Sequence, residues 1–262
     1  MVNNKGKSSG DPITRWLVIG MVALVVVVGA GISIFNNTSK KAAVLPSAAS
    51  VNDGYGIVFN DGLTPVIDVW EDFQCPSCKA FESTNGAALK ALVVEKKAKV
   101  VFHPLSFLGP ESVYAANGAA CASDQGKFLE FYEIMYANQP AENSGAWSNE
   151  GVIATAAAAG VTGPEFEACV NKGKYADWVG NVGSEGSKQS INSTPTILIN
   201  GKEIDRASGA YYSASEFMKV LTAAGPEAKK LADSLAKKKA TDLAAALKAD
   251  PAKAKQDSLD KA

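Results

Sequence analysis

Two cysteines separated by two residues are the side chains of this sequence best suited to chemistry. Cys75 and Cys78 stand in the run DFQCPSC at residues 72–78. At this spacing, two sulfurs on one helical turn come within disulfide reach. We therefore predict a redox-active Cys75–Cys78 disulfide. Zinc sites use the same spacing and are the alternative interpretation.

The position predicted for Cys75 explains how it would react. The cysteine follows a strand and precedes a helix, so it lies where unpaired N–H groups and the helix dipole favour a thiolate. A lowered pKa makes a thiolate both a nucleophile at neutral pH and a good leaving group. Pro76 suits the first helical position, where a missing N–H costs nothing. Cys78 is predicted to be the buried resolving thiol.

Composition excludes several other classes of protein. The 262 residues contain four cysteines and one histidine, so a disulfide-rich mini-protein is excluded by size and a histidine network by number. Lys plus Arg total 26 against 27 Asp plus Glu, a net charge of −1. This balance argues against a nucleic-acid partner, because binding phosphates requires a basic surface.

The elements needed to position the cysteines can be predicted from residue patterns. Residues 56–59 and 65–70 are predicted strands, and residues 78–97 a helix with one apolar side. Residues 99–103 are predicted to form a third strand that Pro104 ends.

The second half of the chain completes an α/β pattern. Residues 110–188 are predicted to be entirely helical. Thr196–Ile199 and Lys202–Ile204 are predicted to form a hairpin about Asn200-Gly201, followed by a helix over 213–224. The expected architecture is an α/β sheet interrupted by an inserted helical subdomain.

The N-terminus carries a candidate membrane anchor. Residues 16–35 are uncharged and mostly apolar, and as a helix they would span ~30 Å, the thickness of a bilayer core. A cleaved signal peptide is the alternative, with small residues at 47–50 as a possible cleavage region. We expect a single-pass anchor in membrane lipid, with residues 1–15 in the cytoplasm and the cysteines in an oxidising, extracytoplasmic compartment.

Three further segments follow the predicted anchor. Residues 36–52 are predicted to be a linker, residues 53–224 the catalytic domain, and residues 225–262 an Ala/Lys-rich tail. The tail has too few large apolar residues to form another domain.

Two motifs resemble those of a known family. FQCPSCKAFE at residues 73–82 and STPTILING at 193–201, separated by the helical insert, are similar to DsbA-like thioredoxin-fold oxidoreductases. The resemblance covers residues 53–224 and is strongest to membrane-anchored or secreted members from Gram-positive bacteria, actinobacteria in particular. It implies a cis Pro195 beside the cysteine pair, with the Thr194 backbone offered to a substrate strand.

The sequence departs from the family pattern in two places. Ser77 stands where the strongly oxidising member has histidine, so no cationic imidazole lies beside Cys75. Val69 stands six residues before Cys75, where many thioredoxin-fold enzymes carry a buried acid. Asp68 is one residue away and faces the other side of the strand. Glu71 or a water chain is the expected substitute for proton transfer.

Cys121 and Cys169 lie in the predicted insert. A second redox pair, or a metal site shared with the first pair, would be functional interpretations. We favour a structural disulfide, which in the chain-entropy model would stabilise the fold by about 4 kcal/mol. DsbA-like proteins of actinobacteria resemble this sequence in having such a pair.

The functional hypothesis is an extracytoplasmic thiol:disulfide oxidoreductase that introduces disulfides into exported proteins with cysteines. The resemblance implies reoxidation by a quinone-linked membrane partner of DsbB or vitamin-K-epoxide-reductase type. No metal, nucleotide or flavin is expected, and a monomer is expected. The alternatives are a thiol reductase of the cytochrome-maturation type and a non-catalytic thioredoxin-like binding module.

Overall fold

A computed structural model of the protein describes residues 43–225, together with 237–238 and 240–241. The predicted N-terminal segment and anchor, residues 1–35, lie outside the described residues, as does nearly all of the predicted tail at 225–262. Within the described part of the chain, no helix is long and apolar enough to cross a bilayer.

The described strands form one mixed sheet. They are β1 (Ile57–Phe59), β2 (Val66–Asp72), β3 (Lys99–Leu105), β4 (Thr196–Ile199) and β5 (Lys202–Glu203). Their order is β1-β3-β2-β4-β5, with β2 and β3 parallel and the other pairs antiparallel. The central strand β2 is paired on both sides, which explains why its sequence is largely buried.

Helix α1 (Pro76–Val94) begins shortly after β2, with Cys75 as its N-cap residue and Cys78 in its first turn. It starts two residues earlier than predicted, because Pro76 is accommodated at the helix start. The buried positions follow the three-to-four-residue helical repeat: Cys78, Phe81, Asn85, Leu89 and Leu92. Packing along this one face holds the first turn, and hence both sulfurs, at the end of β2.

The interval between β3 and β4 forms the predicted helical insert. Its helices are α2 (Pro110–Asp124), α3 (Phe128–Ala137), α4 (Asn149–Ala157), α5 (Pro164–Asn171) and α6 (Ala176–Lys188). Cys121 on α2 and Cys169 on α5 form a disulfide, with their Cα atoms 5.9 Å apart. The bond joins two helices of the insert, as the structural interpretation predicted.

The hairpin between β4 and β5 turns at Asn200 and Gly201, as predicted. Their φ angles are 51° and 77°, the left-handed pair that a type I′ turn requires. Helix α7 (Ala214–Ala224) then begins at Ser213, whose side chain accepts a hydrogen bond from the Glu216 N–H.

The prediction that Pro104 ends β3 is wrong. The strand continues through Pro104 to Leu105, in register with β2. β1 pairs with β3 only as far as Phe102. Beyond Phe102, therefore, β3 has an edge not paired by β1, where a proline is tolerated because no N–H is needed.

The predicted boundary between linker and domain also moves. The compact unit begins at Val44 rather than at residue 53. The Ala48 carbonyl accepts the Val58 N–H at 2.9 Å, and Ala49 forms a β-bridge with Ile57. Part of the predicted linker therefore pairs with the otherwise open edge of β1.

Candidate active site

Cys75 and Cys78 are both largely buried, but only Cys75 retains contact with solvent. Cys75 is the N-cap residue of α1 and keeps 9% of its surface exposed, whereas Cys78 is fully buried at 0%. Both are free thiols in this structure. A partner sulfur can therefore approach Cys75 but not Cys78, which matches the predicted roles of attacked and resolving cysteine.

Hydrogen bonds favour the thiolate of Cys75. The bond from the Cys78 thiol, followed by the Thr194 side chain and the N–H groups of Cys78 and Ser77, lowers the pKa of Cys75 to about 5 against the opposing effect of burial. Cys75 is therefore a thiolate at neutral pH, although Ser77 supplies no positive charge. The pKa of Cys78 is raised, first by burial and then by the hydrogen bond to Cys75.

The loop before β4 lies directly against Cys75. The Thr194–Pro195 peptide bond is cis, and the Cys75 Sγ lies 3.5 Å from the Thr194 carbonyl oxygen. A cavity of about 440 Å³ opens beside this contact. Its lining includes Cys75, Phe107, Leu108, Ile191, Asn192 and Thr194. The site thus combines a reactive sulfur with a partly apolar groove.

The backbone before Cys75 is held by the buried carboxylate of Asp72. Its Oδ1 accepts hydrogen bonds from the Gln74 N–H at 2.9 Å and the Ser112 hydroxyl at 2.7 Å, and its Oδ2 accepts one from the Leu108 N–H at 3.1 Å. One side chain thereby ties the cysteine loop to the segment that lines the cavity. Charge-assisted bonds of this kind are stronger than neutral ones.

The helical insert holds the same loop from the other side. The Gln139 side chain donates to the carbonyl oxygens of Phe73 at 2.6 Å and Cys75 at 3.0 Å. The Gln74 side chain accepts the Asn143 N–H at 2.7 Å. The insert therefore helps to position Cys75, besides contributing to the core.

Glu71 and Glu82 form a pair of buried carboxyl groups near the two cysteines. Glu71 is 1% exposed, the Tyr132 hydroxyl donates to its Oε2, and it interacts directly with Glu82. Burial, followed by repulsion between the two carboxyl groups, raises the pKa of Glu71 well above its usual range, and burial raises that of Glu82. A Cβ at position 86 would lie 2.3 Å from the Glu82 Oε2, so Gly86 leaves the space that this carboxyl group occupies. The pair retains a proton at neutral pH.

Both cysteines interact electrostatically with Glu71 of this acid pair. The charge of Glu71 raises the pKa of Cys78, and the charge of Cys75 raises that of Glu71. Val69, at the usual position of the buried acid, is a core residue. Glu71 therefore supplies the buried acid from a different position of the same strand.

Asp68 and His103 form a separate pair. The His103 Nε2 lies 3.1 Å from the Asp68 Oδ1, and the buried imidazole stacks on Trp70 with ring centroids 3.6 Å apart. Burial lowers the pKa of His103. Neither residue is among the groups that shift the pKa of Cys75, and the second-face interpretation of Asp68 agrees with this placement.

Sequence reasoning missed several residues of the site. Glu82 could have been found, because it lies four residues after Cys78 and therefore on the same helix face. Asp72 and Gln139 gave no such signal, since their partners are distant in sequence. The four-cysteine zinc alternative is wrong, because Cys121 and Cys169 are bonded to each other. Among the described residues, no group of three or more His, Cys, Asp or Glu side chains could hold a metal ion.

Comparisons with known proteins agree with this geometry. A family model described as thioredoxin matches residues 61–214. Disulfide bond formation protein D of Bacillus subtilis is 26% identical over 174 residues, covering 64% of this chain and 78% of that protein. The reduced DsbA of Mycobacterium tuberculosis is 25% identical, with a TM-score of 0.52 and coverage of 73% and 96%. The thiol-disulfide oxidoreductase MdbA of Actinomyces oris shares the fold, with a TM-score of 0.58, 22% identity and coverage of 70% and 93%.

The lowered pKa of Cys75 predicts a pH-dependent stability of the reduced protein. In the folded protein this pKa is about 5, whereas an unfolded thiol titrates at about 8.5. Between these values the unfolded chain binds more protons. The free energy of unfolding of the reduced protein, relative to that of the oxidised protein, should therefore rise with pH across this window. This added stability should be lost as the pH falls through about 5.

Urea unfolding of the full-length chain in both redox forms, at several pH values within that window, measures this difference. The oxidised form is the control, because its disulfide does not titrate. A difference between the two forms that stays constant with pH would contradict the prediction.

Proposed function

We propose that this chain, a DsbA-like thiol-disulfide oxidoreductase that belongs to the thioredoxin family, introduces disulfides into exported proteins. The observation that carries the proposal is the unequal environment of the two sulfurs. Cys75 lines the cavity, keeps 9% of its surface exposed and is stabilised as a thiolate, whereas Cys78 is fully buried and protonated. Stabilisation of the Cys75 thiolate favours the reduced enzyme, which makes the Cys75–Cys78 disulfide a good oxidant.

The reaction begins with the oxidised enzyme. A substrate thiolate attacks the Cys75 sulfur, the Cys75–Cys78 bond breaks, and Cys78 leaves as a thiolate. A second substrate thiolate then attacks the substrate sulfur of the mixed disulfide and releases Cys75 as a stable thiolate. The substrate thiols lose two electrons to the enzyme disulfide. One of their two protons goes to solvent, and the other replaces the proton that Cys78 takes from the buried carboxyl pair.

The buried acid pair supplies the proton for the first step. Cys78 cannot remain a thiolate in its apolar surroundings, because burial disfavours the charge. Glu71 and Glu82 hold a proton at neutral pH, and Glu71 interacts electrostatically with this sulfur. Donation of that proton to the departing Cys78 is general acid catalysis, and the reverse transfer would activate Cys78 during reoxidation.

The cavity beside Cys75 is where an extended substrate segment would bind. Phe107 is 46% exposed at this opening, and Thr194 presents its backbone beside the sulfur. An apolar side chain and backbone groups beside the sulfur together suit unfolded chains, which offer both apolar side chains and backbone.

The cellular setting belongs to the same proposal. Residues 16–35 would anchor the catalytic domain on the extracytoplasmic side of the membrane. A quinone-linked membrane protein of DsbB or vitamin-K-epoxide-reductase type would reoxidise the cysteines. Tethering would favour that encounter, because it raises the effective concentration of two proteins in one membrane.

Capture of substrates tests the function in cells. In the Cys78→Ala variant the resolving thiol is absent, so mixed disulfides between Cys75 and substrate cysteines should accumulate. Nonreducing gels and mass spectrometry should identify exported proteins in these adducts. The double variant Cys75→Ala/Cys78→Ala is the matched control and should capture none. If Cys78→Ala captures no exported protein, the binding-module alternative is favoured.

The reduction potential distinguishes the oxidant from the reductase alternative. We expect the Cys75–Cys78 couple to be more oxidising than thioredoxin, which lies at about −270 mV, because the Cys75 thiolate is strongly stabilised. Equilibration of the full-length chain in glutathione buffers, followed by thiol trapping, measures this potential. A value near that of thioredoxin would favour the reductase.

The Glu71→Gln variant tests proton donation. Glutamine preserves the shape of the side chain but cannot donate an acidic proton, so oxidation of a dithiol peptide at neutral pH should slow by about tenfold or more. Stopped-flow measurements across pH should also show that the decline in rate expected for the wild type above neutral pH is absent from Glu71→Gln. Glu130→Gln, at a surface carboxylate, is the control. An unchanged pH profile in Glu71→Gln would show that another group donates the proton.

A further inference from the structure

Arg206 holds the loop that faces Cys75. This cis-proline loop, residues 193–196, places the Thr194 carbonyl oxygen 3.5 Å from the Cys75 sulfur. Arg206 lies after β5, at the start of a short 3₁₀ helix (Arg206–Ser208), and has no role in the mechanism described above.

One guanidinium nitrogen reaches both sides of Thr194. The Arg206 Nη2 lies 3.1 Å from the Ser193 Oγ, 3.2 Å from the Pro195 carbonyl oxygen and 2.9 Å from the Thr196 Oγ1. The Thr196 hydroxyl also donates to the Ser193 carbonyl oxygen at 2.7 Å. The loop is thus tied across its base, with Thr194 between the tied residues.

The guanidinium group is itself fixed in place. Its Nε lies 2.7 Å from the Glu203 Oε1, and its Cζ lies 4.9 Å from the centroid of the Tyr211 ring. Tyr211 is buried, and its hydroxyl accepts the Ile197 N–H at 3.1 Å. Arg206 is therefore held in its orientation by a carboxylate, an aromatic face and the loop, a geometry that lysine cannot reproduce.

We infer that Arg206 is a positioning residue for thiol exchange, which fixes the cis-proline loop so that Thr194 meets the Cys75 sulfur. The inference rests on the proposed function, because exchange at Cys75 is the step it serves. The positive charge of Arg206 is paired with Glu203, and Arg206 is not among the largest influences on the pKa of Cys75. Its role is therefore to hold the loop in position.

The consequence can be measured at the sulfur. Release of the loop would move Thr194 away from Cys75 and weaken the hydrogen bond from the Thr194 side chain, which lowers the pKa of Cys75. In the Arg206→Gln variant of the full-length chain, we therefore expect a higher pKa of Cys75, followed by ultraviolet thiolate absorbance. We also expect about tenfold slower oxidation of a dithiol peptide, because small misplacements of reacting groups cost rate.

Two further variants separate geometry from charge. Arg206→Lys keeps the charge but lacks the planar fork, so it should resemble Arg206→Gln. Lys202→Gln removes an exposed cation from the same hairpin and should match the wild type. Unchanged pKa and rate in Arg206→Gln, or full recovery in Arg206→Lys, would overturn the inference.

A folding defect would not obscure the result. If circular dichroism shows that Arg206→Gln is unfolded, Glu203→Gln loosens the guanidinium while leaving it present, and a smaller change in the same direction is expected. No change in that variant would also overturn the inference. A wild-type chain that fails to oxidise the peptide would instead contradict the proposed function itself.

Discussion

The hydrogen bond between the two active-site sulfurs is the interaction on which the rest of the chemistry depends. It is the largest influence that lowers the pKa of Cys75, and it requires Cys78 to remain protonated. Burial of Cys78 meets that requirement, because an apolar environment disfavours a second thiolate. The same arrangement makes Cys75 reactive and Cys78 inert until an exchange begins. One helical turn thus holds two chemically identical side chains in opposite protonation states.

That asymmetry creates a problem that the buried acids address. A thiolate released at Cys78 has no solvent from which to take a proton. Glu71 and Glu82 occupy the adjacent interior, and neither ionises easily beside the other. Burying a polar pair is costly. The glycine at position 86 leaves room for one carboxyl group, and the Tyr132 hydroxyl bonds to the other. The proposed proton donor therefore lies where α1, β2 and the helical insert meet.

Three separate parts of the chain support the reactive sulfur. Asp72 and Gln139 hydrogen-bond to the backbone around Cys75. Arg206 hydrogen-bonds to the cis-proline loop that faces this sulfur. Such preorganisation is what precise exchange chemistry requires, since a loop held at one point could drift from its partner. The insert consequently has two functions: it buries an aromatic core around Phe73 and it anchors the cysteine backbone.

The sequence alone predicted the α/β architecture with its insert, the hairpin at Asn200-Gly201 and Cys75 and Cys78 as the redox pair. These predictions depend on local patterns, since short spacings, turn residues and helical repeats act over a few residues. For Cys121 and Cys169 the sequence favoured a structural disulfide over a second redox pair or a metal site, and the structure pairs them. The sequence named Glu71 as a candidate acid, but only the tertiary structure decided that Glu71 pairs with Glu82, where β3 ends and which side chains hold the active-site loops. Glu71 meets Glu82, Gln139 meets Cys75 and Arg206 meets Ser193 across separate elements. Contacts of this kind arise from how strands and helices pack, and no spacing along the chain records them.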